Sequence, residues 1–186
     1  MSATTKRITL GSGLLYFADY DGTVVPNVDG VCIEGNLIGY IQGGATITYT
    51  PEYYEAKDDM GYVSKTVLTS EEATLSSGIM TWNGDTLAKL CETGRVSEDT
   101  KGQRRVVKIG GIANATGKNY VVCFHHPDEA EGDKWVLMVG RNQSGFEFAF
   151  AKDQETVIDA EIKAVPQDDE GTLIQYIEAD DTIVSA

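Results

Sequence analysis

A chain of 186 residues with 41% hydrophobic residues is long enough to form one domain with a substantial core. Its 29 acidic residues against 15 basic ones give a formal net charge of −14, spread through both halves, a balance that argues against tight nucleic-acid binding, which needs clustered cations to neutralise phosphates. No run of about 18 apolar residues could span a bilayer as a helix, and residues 1–7 lack the apolar centre of a signal peptide.

Residues 8–19 read as an extended arm or strand, broken by Gly11 and Gly13 and turned by Asp21-Gly22. The Gly11-Ser12-Gly13 run is no phosphate loop, because no Gly-Lys-Ser/Thr comes after it and no helix opens behind it. Pro26, Asn27, Gly30 and Gly35 make residues 23–37 a loop with short strands, and residues 37–42 form an apolar approach to a central hairpin. Gly43-Gly44 then permit a tight redirection.

Over residues 45–50, larger apolar groups alternate with threonines, so a strand there puts one face into a core and leaves hydroxyls on the other. Pro51, with no backbone N–H, is expected to close that strand. Residues 51–65 then read as a long loop carrying Tyr53, Tyr54 and Tyr62 among Glu52, Glu55, Asp58 and Asp59, a composition that suits protein contact better than catalysis. A second, longer strand is expected over 66–82, with Ser70, Thr74 and Ser76 interleaved and a bulge or bend at Gly78. Asn83 is placed to cap a helix over 83–93. Trp82 and Leu87 would staple its start, Leu87, Leu90 and Cys91 would share a face, and Gly94 would end it.

Residues 95–103 are polar and flexible in composition, and a strand begins at Arg104. Lys101, Arg104, Arg105 and Lys108 are the one basic run. It lacks the aromatics of a nucleic-acid patch and is expected to meet the acidic loop of a neighbouring copy. Residues 120–126 and 134–139 are strands flanking the acidic turn at 128–133. His125 and His126 are the only histidines; as neighbours on a strand they point to opposite faces and cannot readily share a metal. Cys32, Cys91 and Cys123 are odd in number and lack metal-like spacing, which argues against a disulfide framework or zinc site.

Residues 140–145 read as a turn, and Phe146, Phe148 and Phe150 alternate with Glu147 and Ala149 as a strand with one face in the core. Ile158, Ala160, Ile162 and Ala164 alternate with Asp159, Glu161 and Lys163 in the next strand, which Pro166 stops. Residues 167–171 are an acidic turn without the ligand spacing of an EF-hand, and 172–177 make the last strand. Ser, His and Asp are all present, but no G-x-S-x-G elbow or other catalytic constellation emerges, so no catalytic, cofactor-binding or metal residue is expected.

Three segments, GGATITYTPEYYE (43–55), SEEATLSSGIMTWNGDTLAKL (70–90) and AVPQDDEGTLIQYIE (164–178), resemble the tail tube, or major tail, proteins of long-tailed bacteriophages. That family is shared with contractile inner tubes and type VI secretion tubes, and the order of the segments carries the resemblance. It implies a non-enzymatic structural protein: six subunits form a ring, each gives strands to a continuous barrel around a lumen, and rings stack into a tube. It further implies tape measure, tail terminator and tip proteins as partners, assembly in a bacterial cytoplasm, residence in the virion tail, and DNA passing through without specific binding.

The expected fold is therefore mainly β, a single domain over 1–186. It would be a β-sandwich or curled sheet with one flanking α-helix and a long hairpin (43–82) that completes an inter-subunit β-barrel. Residues 1–42 would be the N-terminal arm and strands, and 104–177 the remaining strands. Thr46, Thr48, Glu72, Thr74 and Ser76 are expected to face the lumen; Tyr53, Tyr54, Asp58, Asp59, Tyr62, Arg104 and Arg105 are expected to touch neighbouring subunits. The alternatives are the inner tube of a contractile machine, and a carbohydrate-binding sandwich with Trp82 or Trp135 as a stacking platform.

Overall fold

The computed structural model describes residues 11–180. The fold is mainly β, built on one large antiparallel sheet. Its strands are β1 (Leu14–Asp19), β2 (Leu37–Gly39), β3 (Ile41–Lys57), β4 (Ser64–Ile79), β7 (Tyr120–His126), β8 (Lys134–Asn142), β9 (Ile158–Val165) and β10 (Gln175–Glu178). A separate two-stranded hairpin is made by β5 (Arg95–Asp99) and β6 (Arg104–Lys108). Two short helices, α1 (Val28–Val31) and α2 (Gly84–Leu90), complete the elements used below.

The main sheet runs β2-β1-β7-β8-β9-β4-β3, with β10 beside β8. Gly39 ends one edge strand and Ile41 begins the other, so the single residue Tyr40 joins the two edges and the sheet must curl upon itself. A backbone bond from Met80 N to Tyr40 O (2.8 Å) and a bond from Tyr40 N to the Thr81 side-chain Oγ1 (2.7 Å) hold the junction. Gly39 is required there, since a Cβ would strike the Thr81 carbonyl and its φ of +156° lies in the range that favours glycine.

Strands β1, β7 and β8 carry near-continuous apolar runs because both of their faces are covered. On one side Leu15, Phe17, Leu75, Ile79, Val122, Met138, Ile158 and Ile162 form a core under α2, which contributes Leu87 and Leu90. On the other side Tyr16, Ala18, Val121, Cys123, Leu137 and Val139 pack with Val31 of α1. This second core stops near Val165, so among the described residues the sheet face over β9, β4 and β3 has no apolar cover. Burial on β9 alternates there as expected, with Ile158, Ala160 and Ile162 inside.

Several sequence expectations need correction. Pro51 does not close its strand and residues 51–65 are not a loop: β3 continues to Lys57, Pro51 opposes Glu71, and only residues 58–63 form the turn. Pro51 is tolerated because β3 is the outermost strand, where one edge demands no donor. The bulge near Gly78 lies on the opposite strand, where Gly43 and Gly44 (φ +78° and +77°) are the extra residues between Gln42 and Ala45. A second register shift sets Tyr53 against Leu68.

The capping box at Asn83 is present, closed by Thr86, but the helix spans Gly84–Leu90 because Cys91 is already extended. Residues 23–37 hold α1 and a 3-10 turn (Glu34–Asn36), not short strands up to β2, and Arg95–Asp99 is a strand. Residues 146–150 form no strand; Phe148 and Phe150 are exposed, stacked at 6.0 Å in a row with Trp82. Residues 8–10 lie outside the described residues.

Candidate assembly surface

The surface grows from the pairing of β3 with β4. From Tyr49↔Ala73 to Lys57↔Ser64, nine consecutive pairs on β3 continue beyond Thr74, the last β4 residue paired with β9. At about 3.3 Å per residue these pairs make an arm projecting about 25–30 Å from the rest of the sheet. Its turn is fixed locally: Asp58 N donates to Val63 O (3.1 Å), Val63 N donates to Asp58 Oδ1 (2.7 Å), and Gly61 takes a φ of +73°. Both outer edges of the arm lack a partner strand among the described residues.

The arm is also apolar where it need not be. Tyr49, Tyr53, Tyr54, Met60, Tyr62, Val63, Val67 and Leu68 are all exposed, with Tyr62 at 80%. An isolated hairpin that puts this much aromatic and aliphatic surface in water is marginal alone and marks a contact surface. Polar cross-strand bonds stiffen it: Tyr49 Oη donates to Glu71 Oε2 (2.7 Å), holding the phenol above its usual range, and Ser70 Oγ donates to Glu52 Oε2 (2.6 Å). Sequence reasoning assigned Tyr53, Tyr54, Asp58, Asp59 and Tyr62 to contacts, and all five lie exposed on this arm. It missed Tyr49, Val67 and Leu68, which look like ordinary strand residues until the arm is seen to leave the sheet.

The five residues expected on a lumen also come together. Thr46 opposes Ser76, Thr48 opposes Thr74, and Thr50 opposes Glu72, so their side chains share one face, the one without apolar cover. Ala73, Leu75, Ser77 and Ile79 point the other way into the core. The register with β9 adds Asp159, Glu161 and Lys163 to the same open face. Lys163 Nζ donates to Glu72 Oε2 at 2.6 Å, so Glu72 is ion-paired across the strands. That half-exposed pair is worth at most about 1 kcal/mol, and Asp159 and Glu161 keep the face acidic.

Arg104 and Arg105 are adjacent on β6 and therefore diverge. Arg105 turns to α2 and holds Asp85 Oδ2 at 2.6 Å, while Arg104 shares the outer face of the hairpin with Arg95 and Lys108. Neither is brought together with the arm of its own chain by strand pairing.

The remaining reactive groups have local partners. His125 Nε2 lies 2.8 Å from Asp133 Oδ2 and its ring stacks on Trp135 at 5.2 Å, while His126 is buried with Nδ1 2.6 Å from Ser12 O. Asp133 is held below the usual carboxylate range, first by the Asp128 N–H and then by His125. The Sγ atoms of Cys32 and Cys123 are 3.4 Å apart, and this contact together with burial pushes the Cys123 thiol up. Trp82 packs against the main core, stacks on Phe148 at 5.0 Å and donates from Nε1 to Thr156 O, so it is an inter-segment clamp. Among the described residues no group of three or more His, Cys, Asp or Glu is placed to hold a metal. No protein-family model matches the chain, and no curated protein matches its sequence.

Proposed function

We propose that this protein is a structural subunit that associates with copies of itself into rings, the rings stacking as a hollow tube of the phage-tail kind that conducts DNA. One observation carries the reading: the β3–β4 arm leaves its own sheet with unpaired edges and an exposed apolar surface. Buried strand edges must be paired, and exposed ones invite association. A second strand is also open, since β10 pairs only with β8 among the described residues. An open arm on one side and an open edge elsewhere suit a head-to-tail contact, which closes into a ring when the rotation permits. Six copies, the number implied by the resemblance, would each give an arm to one continuous barrel.

In that ring Thr46, Thr48, Glu72, Thr74 and Ser76 line the lumen with Asp159, Glu161 and Lys163. Hydroxyls and a net acidic balance offer DNA little to hold, and like-charge repulsion screened over about 8 Å keeps it off the wall. A non-contractile virion tail is the preferred setting, with tape measure, terminator and tip proteins as further partners and no enzymatic step. Electron microscopy of the concentrated, purified protein tests the reading: rings and hollow tubes are expected. A protein that stays monomeric at every concentration and salt tried would overturn it.

A further inference from the structure

We infer that the outer face of the β5–β6 hairpin is a docking surface for the acidic end of the β3–β4 arm of a second copy. The register places Arg95 opposite Lys108, Ser97 opposite Val106 and Asp99 opposite Arg104, so these six side chains share one face. The other face carries Val96, Val107 and Arg105 toward α2, whose Asp85 is consumed by Arg105. Among the described residues no carboxylate lies within salt-bridge distance of Arg95, Arg104 or Lys108. Asp99, the acid nearest in register, uses Oδ1 to accept from Gly102 N (3.1 Å) in its own turn.

In a chain with about twice as many acids as bases, three cations on one face without ion pairs are unexpected for a monomer. Val106, 37% exposed, sits among them, giving the apolar centre and charged rim that protein contacts use. The complementary object is on the same chain. Residues 49–73 hold six acidic and two basic side chains, and residues 95–110 hold five basic and two acidic ones. At the end of the arm Glu55, Asp58 and Asp59 outnumber Lys57 and Lys65, with Glu55 3.0 Å from Lys57, and they accompany Met60 and Tyr62, which are 74% and 80% exposed. At the other acidic turns Asp128 and Asp168 give their carboxylates to N–H groups of their own loops, as Asp58 does here, whereas among the described residues no hydrogen bond or ion pair engages Asp59. The arm's edges remain available for strand pairing while its end reaches the basic face.

This inference rests on the self-association proposed above, and charge exchange separates the two. Arg104→Glu with Lys108→Glu forms one variant, Glu55→Lys with Asp59→Lys the other; Asp58 is spared because it holds the turn. Circular dichroism and thermal midpoint check folding, and Arg104→Gln with Lys108→Gln replaces the first variant if it does not fold. Each variant alone should need about tenfold more protein to assemble, read by sedimentation velocity, and an equimolar mixture should regain wild-type assembly. Wild-type assembly with both variants equally competent would overturn the docking surface and leave self-association standing. Loss of assembly without rescue in the mixture would overturn the arm as occupant. Duplex DNA binding by the wild type that Arg104→Glu with Lys108→Glu abolishes, with assembly intact, would assign the face to nucleic acid instead. A wild type that never associates would overturn both.

Discussion

At the scale of single residues, turn carboxylates hold the loops between strands, and their state is set by pH. Asp133 accepts from the Asp128 N–H at 2.9 Å and from the His125 ring, and its pKa is lowered by these two in that order. A carboxyl whose folded value is depressed contributes stability above its unfolded value, near about 3.9, and loses that contribution as pH falls through the lower folded value. Asp133→Asn should therefore be less stable than the wild type at neutral pH, and the gap should shrink as pH drops below about 4. Urea midpoints of both proteins at several pH values measure it; a gap that persists in acid would trace the effect to packing, not ionisation. Pro51 shows a residue rule reversed by position: a strand breaker in the interior of a sheet costs nothing on an outward edge.

At the scale of elements, the arm from Glu52↔Ser70 to Lys57↔Ser64 differs from every other strand pair among the described residues in having every residue exposed. Tyr53 and Leu68 oppose each other and are 63% and 46% exposed. Replacing both with serine should change monomer stability by no more than about 0.5 kcal/mol, the usual range for exposed sites. The same change should weaken assembly strongly, since aromatic and aliphatic side chains supply most interface energy. Thermal unfolding of dilute protein and sedimentation of concentrated protein, run on the same variant, separate the two effects. Helix α2 shows the reverse case. It is seven residues long, too short to persist alone, and is held by its Asn83 cap and by Leu87 and Leu90 in the core.

At the scale of the whole molecule, a formal charge of −14 opposes any gathering of copies. Raising salt from about 0.05 M to about 0.5 M shortens the screening length from roughly 14 to 4 Å and should promote assembly, tracked by light scattering. The variant with Arg104→Glu and Lys108→Glu should depend on salt more steeply than the wild type. Assembly of the wild type that falls steadily with salt would mean that specific ion pairs outweigh the general repulsion. The curled sheet, joined at Tyr40, gives each copy a self-sufficient body, so association can be reversible without unfolding it.

Local pattern along the chain was enough for the mainly β class, the strands at residues 104–108, 120–126 and 158–165, the Asn83 cap, and the common face of Thr46, Thr48, Glu72, Thr74 and Ser76. Each comes from a period of two or from one local hydrogen-bonding pattern, which neighbours in the chain suffice to set. Tertiary structure alone decided that residues 51–57 extend a strand, that Phe146, Phe148 and Phe150 lie outside the sheet, and that Lys163 meets Glu72. The reason is that edge position, the layer covering a strand, and the register between strands far apart in sequence are properties of pairs of segments. Alternation within one segment does not contain them.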